Sequence, residues 1–443
     1  MSELPATLIG LQGALASGRC SVAEALSAQR LRLRRLDASY RCVVHDRSDE
    51  SLPPATGRLA GVGLAHKDVF DLAGWRPGLG SGPGHPSTAT APAAAVERLA
   101  SRGAAHLATL VMAEQACGAT GDNPHCRARC VNPLNADAVV GGSSSGSAVA
   151  VSSEMAYGSL GTDTAGSVRI PAATCGLLGL KTTHGLVPLQ GVHPLAPSLD
   201  SVGLMVRSSA DALPMLEAMV DGNRLREAPP GTSRLGAWLP DDDLHPRVAE
   251  ALDAFARSWN AARVDTASLD HRQLSHRAQI VLHAEAARTH REALLARTAG
   301  ASVEAVALPG LAMPPEWAEA VLADRARSVR RFVHEHLGSH DLLLLPALPA
   351  PIPDWDAVVV GSPRFEAARL LALHRYMGFV NYLGLPALVL PIATDERGLP
   401  ICAQLIARPF HERTLLAFAR RVEARDFGGE GFTRAFTRRE SIR

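Results

Sequence analysis

The spacing of apolar positions divides the chain into helices and short buried strands. Residues 5 to 36 carry apolar side chains at helical spacing with arginines between them, which predicts helices with one packed and one wet face. Ser21-Val22-Ala23-Glu24 reads as a capping box, the serine accepting from the third amide while the glutamate reaches back. Ser51 to Thr56, with its Pro-Pro, reads as a linker into Gly63 to Phe70, a strand-like apolar run opening into a loop. Gly74 to Pro86 is a Gly/Pro-rich loop, 93 to 103 a helix, and Ala105 to Val111 a buried strand. Ser147 to Tyr157 reads as a helix of very small residues, Gly158 to Thr162 as a short strand, and Val168 to Thr174 as a short helix. Helices are expected over 208–222 and 246–265, and several more across 275–340. Asp341 to Leu345 is a buried strand ended by Pro346, and Pro349, Pro351 and Pro353 form a loop placed to line a pocket. Leu388 to Ile392 and Ile401 to Ile406 read as paired strands around the Asp395-to-Gly398 turn, followed by a helix over 411–424 and a Gly/Arg-rich tail.

Composition narrows the class. Of 443 residues 47% are hydrophobic and the net charge is +1, so a large core is available. Nothing electrostatic recommends nucleic acid or an anionic membrane as partner. The N-terminus carries Glu3 and no basic-then-apolar pattern, and runs such as Leu342 to Leu345 are far too short to span a bilayer; a cytoplasmic protein is expected. Seven cysteines are present, and Cys126 and Cys130 lie four apart with no second pair or histidine at zinc-site spacing. Reduced, mostly buried thiols and no metal or cofactor are therefore expected. No glycine-rich loop ends in Gly-Lys-Ser/Thr, since Lys181 follows leucine, so a P-loop is excluded.

The chemistry-bearing pattern is Val140-Gly141-Gly142-Ser143-Ser144-Ser145-Gly146-Ser147-Ala148, echoed at Gly161-Thr162-Asp163-Thr164-Ala165-Gly166-Ser167-Val168-Arg169-Ile170-Pro171. Two such loops, one helix apart, bring hydroxyls and bare N–H groups towards one point. The chain holds only two lysines, Lys67 and Lys181, among 45 basic residues. Arginine keeps its proton near neutrality, whereas a buried lysine can act as a neutral base. Lys67, at the end of its strand, has that position. Lys181 reads as structural, bonding loop carbonyls, and Asp163 and Arg169 as holding the turn. His85, His106 and His125 share no helical face. Neither the spacing of His184 and His193 nor that of Asp200 supports a Ser–His–Asp triad.

Leu64-Ala65-His66-Lys67-Asp68, the Gly-Gly-Ser143-Ser144 run and the Gly-Thr-Asp-Thr-Ala-Gly-Ser167-Val-Arg-Ile-Pro run resemble, in order and spacing, the amidase signature family of serine hydrolases. The similarity extends to Cys175-Gly-Leu-Leu-Gly-Leu-Lys181-Thr, Asn381-Tyr-Leu-Gly-Leu-Pro-Ala and Gly398-Leu-Pro-Ile-Cys-Ala-Gln404. The resemblance implies an α/β fold with a central mixed twisted β-sheet covered by helices on both faces. It implies one domain over 1–443, with a signature core about 60–206 and 376–410 and a variable, largely helical region about 210–375. It also implies hydrolysis of an amide carbon–nitrogen bond through a serine acyl-enzyme. Carried over by position, Ser167 is the nucleophile, Ser143 the proton relay and Lys67 the base and later acid. The backbone N–H groups of Thr164, Ala165, Gly166 and Ser167 form the oxyanion hole. Ser144 either assists the relay or hydrogen-bonds the loop. Ala165 and Ser145 stand where the family often has glycine, which leaves substrate size open. A small-molecule amide is the expected partner, without nucleic acid or membrane, and homodimerisation is left open. The family also includes the glutaminase subunit of tRNA-dependent amidotransferases and allophanate-type ureido hydrolases, which remain alternatives.

Overall fold

The computed structural model describes residues 4–47, 56–87, 91–123, 125, 127–227, 233–240, 243–265 and 270–426. Cys126, most of the Ser51-to-Thr56 linker and the Gly/Arg-rich tail lie outside the described residues. The capping box at Ser21 forms as expected: Ser21 Oγ accepts from Glu24 N while the Glu24 carboxylate accepts from Ser21 N, starting the helix Val22–Tyr40.

The largest sheet has eight strands. From one edge these are Ala262–Arg263, Leu235–Ala237, Leu342–Pro346, Pro400–Ala407, Ala387–Thr394, Leu178–Lys181, Ser201–Val206 and Gly158–Asp163. Leu235–Ala237 pairs in parallel with both its neighbours, and every other pairing is antiparallel. The architecture is therefore α/β with a mixed sheet. Both faces of its inner strands are buried. Leu342 and Leu344 join one apolar cluster while Leu343 and Leu345 join another, and Met205 packs away from Leu204 and Val206. Such strands read as unbroken apolar runs rather than alternating ones.

Lys67 does not come from this sheet. Its strand, Gly63–Lys67, belongs to a separate three-stranded sheet with Ala105–Leu110 in the middle and Val43–Asp46 on the far side. That small sheet packs against Gly158–Asp163, the edge strand of the large one. The junction of the two sheets is where the candidate residues meet.

Differences from the sequence expectations are local. The small-residue helix runs Ser145–Ser152 rather than from Ser147 to Tyr157; Glu154 leaves it with φ 61°. Residues 262–263 form an edge strand beyond the helix Pro246–Ser258. Trp75–Arg76 and His85–Pro86 pair as a small hairpin within the Gly/Pro-rich loop. The region across 275–340 is helical as read, in His271–Thr289, Arg291–Ala296, Ala301–Ala312 and Pro315–Phe332. The proline-rich loop packs on the 132–140 stretch, Val139 N donating to Pro353 O at 3.0 Å. Among the described residues no helix is long and apolar enough to cross a membrane.

Candidate active site

Lys67 ends its strand in register with Leu110 and is 1% exposed. Its Nζ donates to Ser143 Oγ at 2.7 Å and to Thr162 Oγ1 at 2.8 Å. Burial lowers its pKa to about 7, against the opposing pull of Asp200 and Asp163. Removing an ammonium from water costs more than these carboxylates return, so the neutral amine becomes accessible near pH 7.

Ser143 follows a cis Gly142–Ser143 peptide and precedes the helix Ser145–Ser152. Ser144 is spent on the loop itself. Its hydroxyl donates to Thr162 O at 3.4 Å, and its N–H donates to Ser167 O at 3.2 Å, tying the two serine loops together. Ser145 takes an ordinary helical position, its hydroxyl donating to Val111 O at 3.4 Å.

The second loop is built on a buried ion pair. Arg169 donates from Nε and Nη2 to the two Asp163 carboxylate oxygens at 3.0 and 2.8 Å, a bidentate fork. Asn381 Nδ2 adds 2.9 Å to the same carboxylate, while Arg169 also reaches Gln404 Oε1 and Asn381 Oδ1, each at 2.6 Å. Although burial pushes the other way, the Arg169 guanidinium holds the Asp163 carboxyl well below its ordinary range. Asp163 and Arg169 thus hold the turn, as their bracketing positions suggested. Lys181 Nζ donates to Thr182 O and Leu385 O at 2.8 and 2.9 Å, the structural arrangement expected of it.

Gly166, with φ +113°, is where the turn needs glycine: a Cβ there would lie 2.8 Å from Met377. Ala165 has no positive φ, so alanine occupies it without backbone strain. Of the four candidate oxyanion donors, Gly166 is already engaged, its N–H donating to Asp163 Oδ1 at 2.9 Å. The N–H groups of Thr164, Ala165 and Ser167 make no hydrogen bond among the described residues, so the set of open donors is three rather than four. Ser167 keeps 6% exposure. Its hydroxyl has no hydrogen-bond partner among the described residues; Ser143 is within reach of Lys67 but not bonded to Ser167.

Several neighbours had no role assigned from sequence. Thr162 is the second partner of Lys67. Thr164 Oγ1 donates to Asp200 Oδ1 at 2.6 Å, and Asp200 Oδ2 accepts from Leu195 and Ala196 N–H; burial raises Asp200 to about 6. His374 Nδ1 lies 2.9 Å from Ala165 O. Asn381 and Gln404 stood in recognisable blocks, but only the fold reveals what they touch. His184 pairs with the Asp200 carbonyl and His193 with Asp71, so neither builds a Ser–His–Asp array. His85 is exposed, His106 stacks on His66, and His125 faces Glu114. Cys42, Cys117, Cys130, Cys175 and Cys402 are buried.

A family model described as Amidase matches residues 44–416. The chain is similar to a glutamyl-tRNA(Gln) amidotransferase component from Pseudomonas entomophila, 30% identical over 94% of this chain and 96% of that one. It is similar to Amidase 1 of Oryza sativa subsp. japonica, 29% identical over 82% and 91%. A crystal structure described as that of an amidase superposes with TM-score 0.81 and 27% identity, covering 95% of this chain and 99% of the other.

Proposed function

The chain belongs to the amidase family, whose members hydrolyse amide C–N bonds, and from that premise we propose a serine acyl-enzyme route in which Lys67, Ser143 and Ser167 form the catalytic triad. The observation that carries the reading is the buried 2.7 Å contact between Lys67 and Ser143, in a loop tied to a turn whose Ser167 hydroxyl has no hydrogen-bond partner among the described residues. Neutral Lys67 accepts the Ser143 proton as Ser143 accepts that of Ser167, and Ser167 Oγ bonds to the amide carbon. The oxyanion meets the N–H groups of Thr164, Ala165 and Ser167. Lysinium returns its proton through Ser143 to the departing nitrogen, the C–N bond breaks, and water attacks the ester by the same relay in reverse. Rotation of the Ser143 or Ser167 side chain closes the last link; catalytic hydrogen bonds often tighten only with substrate bound. Ser144, bonded to the loop, supports the geometry rather than passing protons.

The substrate we propose is a small-molecule amide. A second reading rests on the length of the match to the amidotransferase component: a glutaminase that works only with partner proteins. One experiment addresses both readings. Purified chain is offered aliphatic, aryl and ureido amides and glutamine, and Ser167 is probed by intact-mass spectrometry with a fluorophosphonate. Turnover by the chain alone, with labelling lost in Ser167→Ala, supports the main reading. Turnover only after addition of partner proteins and tRNA supports the second. Labelling of Ser167→Ala at the parent rate moves the nucleophile elsewhere.

A further inference from the structure

The turn carrying Ser167 is held on one side by a residue from outside the signature blocks. The Ala165–Gly166 peptide is gripped at both ends. Its N–H donates to Asp163 Oδ1 and its carbonyl lies 2.9 Å from His374 Nδ1. A carbonyl only accepts, so His374 is the donor and carries its proton on Nδ1. We propose that His374 is a positioning residue for the reaction: by fixing the plane of the Ala165–Gly166 peptide, it sets where the N–H groups of Ala165 and Ser167 point. The inference rests on the Ser167 acyl-enzyme reading and adds to it the group that orients the oxyanion donors.

The surrounding contacts make His374 the outer end of a clamp. It lies between the helix Ala367–Ala372 and the helix Gly378–Leu383. Downstream, the Met377 carbonyl accepts from Arg169 Nη2 at 3.2 Å, the Tyr376 carbonyl accepts from Gln404 Nε2 at 2.8 Å, and Met377 lies against Gly166. All of these hold the backbone beneath the turn. Among the described residues, only His374 grips the peptide on the side where Ala165 is half-buried and Ser167 keeps its exposure. Without it, the peptide retains its Asp163 bond but gains freedom about the carbonyl end. A peptide plane that rocks carries the neighbouring N–H vectors with it. Small misplacements of groups that meet the transition state are costly: about 1 Å is enough to lose about 100-fold in rate.

The test needs no knowledge of the natural substrate. An alkyl fluorophosphonate phosphonylates serine: the Ser167 Oγ–P bond forms, P–F breaks, fluoride leaves, and the serine proton passes to the Lys67 side. Its phosphoryl oxygen takes up charge where the amide oxyanion would. The inactivation constants kinact and KI are measured for the parent, His374→Ala, His374→Gln and His374→Asn, with circular dichroism confirming the fold. Asparagine places an amide N–H near the position of Nδ1, whereas glutamine places it one bond further out. We expect kinact to fall about 10- to 100-fold in His374→Ala and His374→Gln with KI changed less than about threefold, and His374→Asn to recover most of the rate. Folded His374→Ala labelling at the parent rate, or folded Asn and Gln variants equally impaired, overturns the proposal. Should His374→Ala not fold, the Asn-against-Gln comparison decides alone. Absence of label on Ser167 in the parent removes the acyl-enzyme reading and this inference with it, which separates the two failures.

Discussion

Lys67 shows what one residue's surroundings do to its chemistry. In water its amine holds its proton to about pH 10.4; here burial brings the pKa to about 7. The sign follows directly: the base is the neutral amine, present above that value and lost below it. We therefore expect kcat/KM to rise with pH through a group near 7 and level off above it, and a profile flat from pH 5 to 9 would sink the assignment. Lys67→Arg keeps charge and length but cannot deprotonate, so it should be nearly as damaging as Lys67→Ala. A folded Lys67→Arg variant with more than about a tenth of parent activity, a loss below about 1.4 kcal/mol, contradicts the role. The Asp163–Arg169 pair makes a different demand. Asp163→Asn strands a fully buried guanidinium, and breaking a buried pair from one side costs about 3–5 kcal/mol. Urea denaturation measures this, and a cost under about 1 kcal/mol would mean the pair does not hold the turn. Counting reduced the candidate bases in the sequence to Lys67 and Lys181, and the place of Lys67 at the end of an apolar run singled it out. Thr162 and His374 were not, since a hydroxyl or an imidazole announces its partner only when the fold brings that partner near.

At the scale of elements, the Ser167 turn separates two positions that look alike in sequence. Gly166 needs its positive φ and its missing Cβ; Ala165 needs neither. Gly166→Ala should therefore destabilise the protein and abolish fluorophosphonate labelling. Ala165→Gly should cost only about 0.4–1 kcal/mol, through added freedom of the unfolded chain. Thermal melts with labelling rates check both, and a Gly166→Ala variant as active as the parent would contradict the geometry described. Alanine at 165, where glycine is common, therefore meets no backbone obstacle, and only its methyl group bears on the room left for substrate. Strands and long helices were readable because their periodicity is strong. The small-residue helix was read two residues late at its start and five too long at its end, because Ser, Gly and Ala mark neither end sharply. Its first turn begins at Ser145 since Ser144 is already committed to Thr162 and Ser167. That Lys67 belongs to a second sheet was invisible, since pairing partners are set by topology and not by the run of apolar residues.

Across the whole molecule, the large sheet interleaves the parts of the chain that the sequence divides into signature and variable regions. Leu342–Pro346, from the variable part, pairs with Pro400–Ala407, which pairs with Ala387–Thr394, which pairs with Leu178–Lys181. Gly158–Asp163, the strand that leads into the Ser167 turn, is joined through Ser201–Val206 to Leu178–Lys181 and so to a strand of the variable region. A sheet shared in this way cannot lose one part and leave the other with both faces covered. We therefore propose that the chain unfolds as one unit. Leu344 tests this: fully buried, it faces Leu405 in one pairing and Ala237 in the other. Leu344→Ala should cost about 2–5 kcal/mol. Hydrogen exchange followed by mass spectrometry, under conditions where exchange tracks global opening, should then show equal loss of protection in Leu235–Ala237 and in Leu178–Lys181, although only the first pairs with the altered strand. Loss confined to 233–265 and 342–346, with Leu178–Lys181 as protected as in the parent, would show that the variable region opens by itself. In that case the variable region and the catalytic residues would sit on separable units, and the grip of His374 on the Ser167 turn would become a contact between units rather than within one.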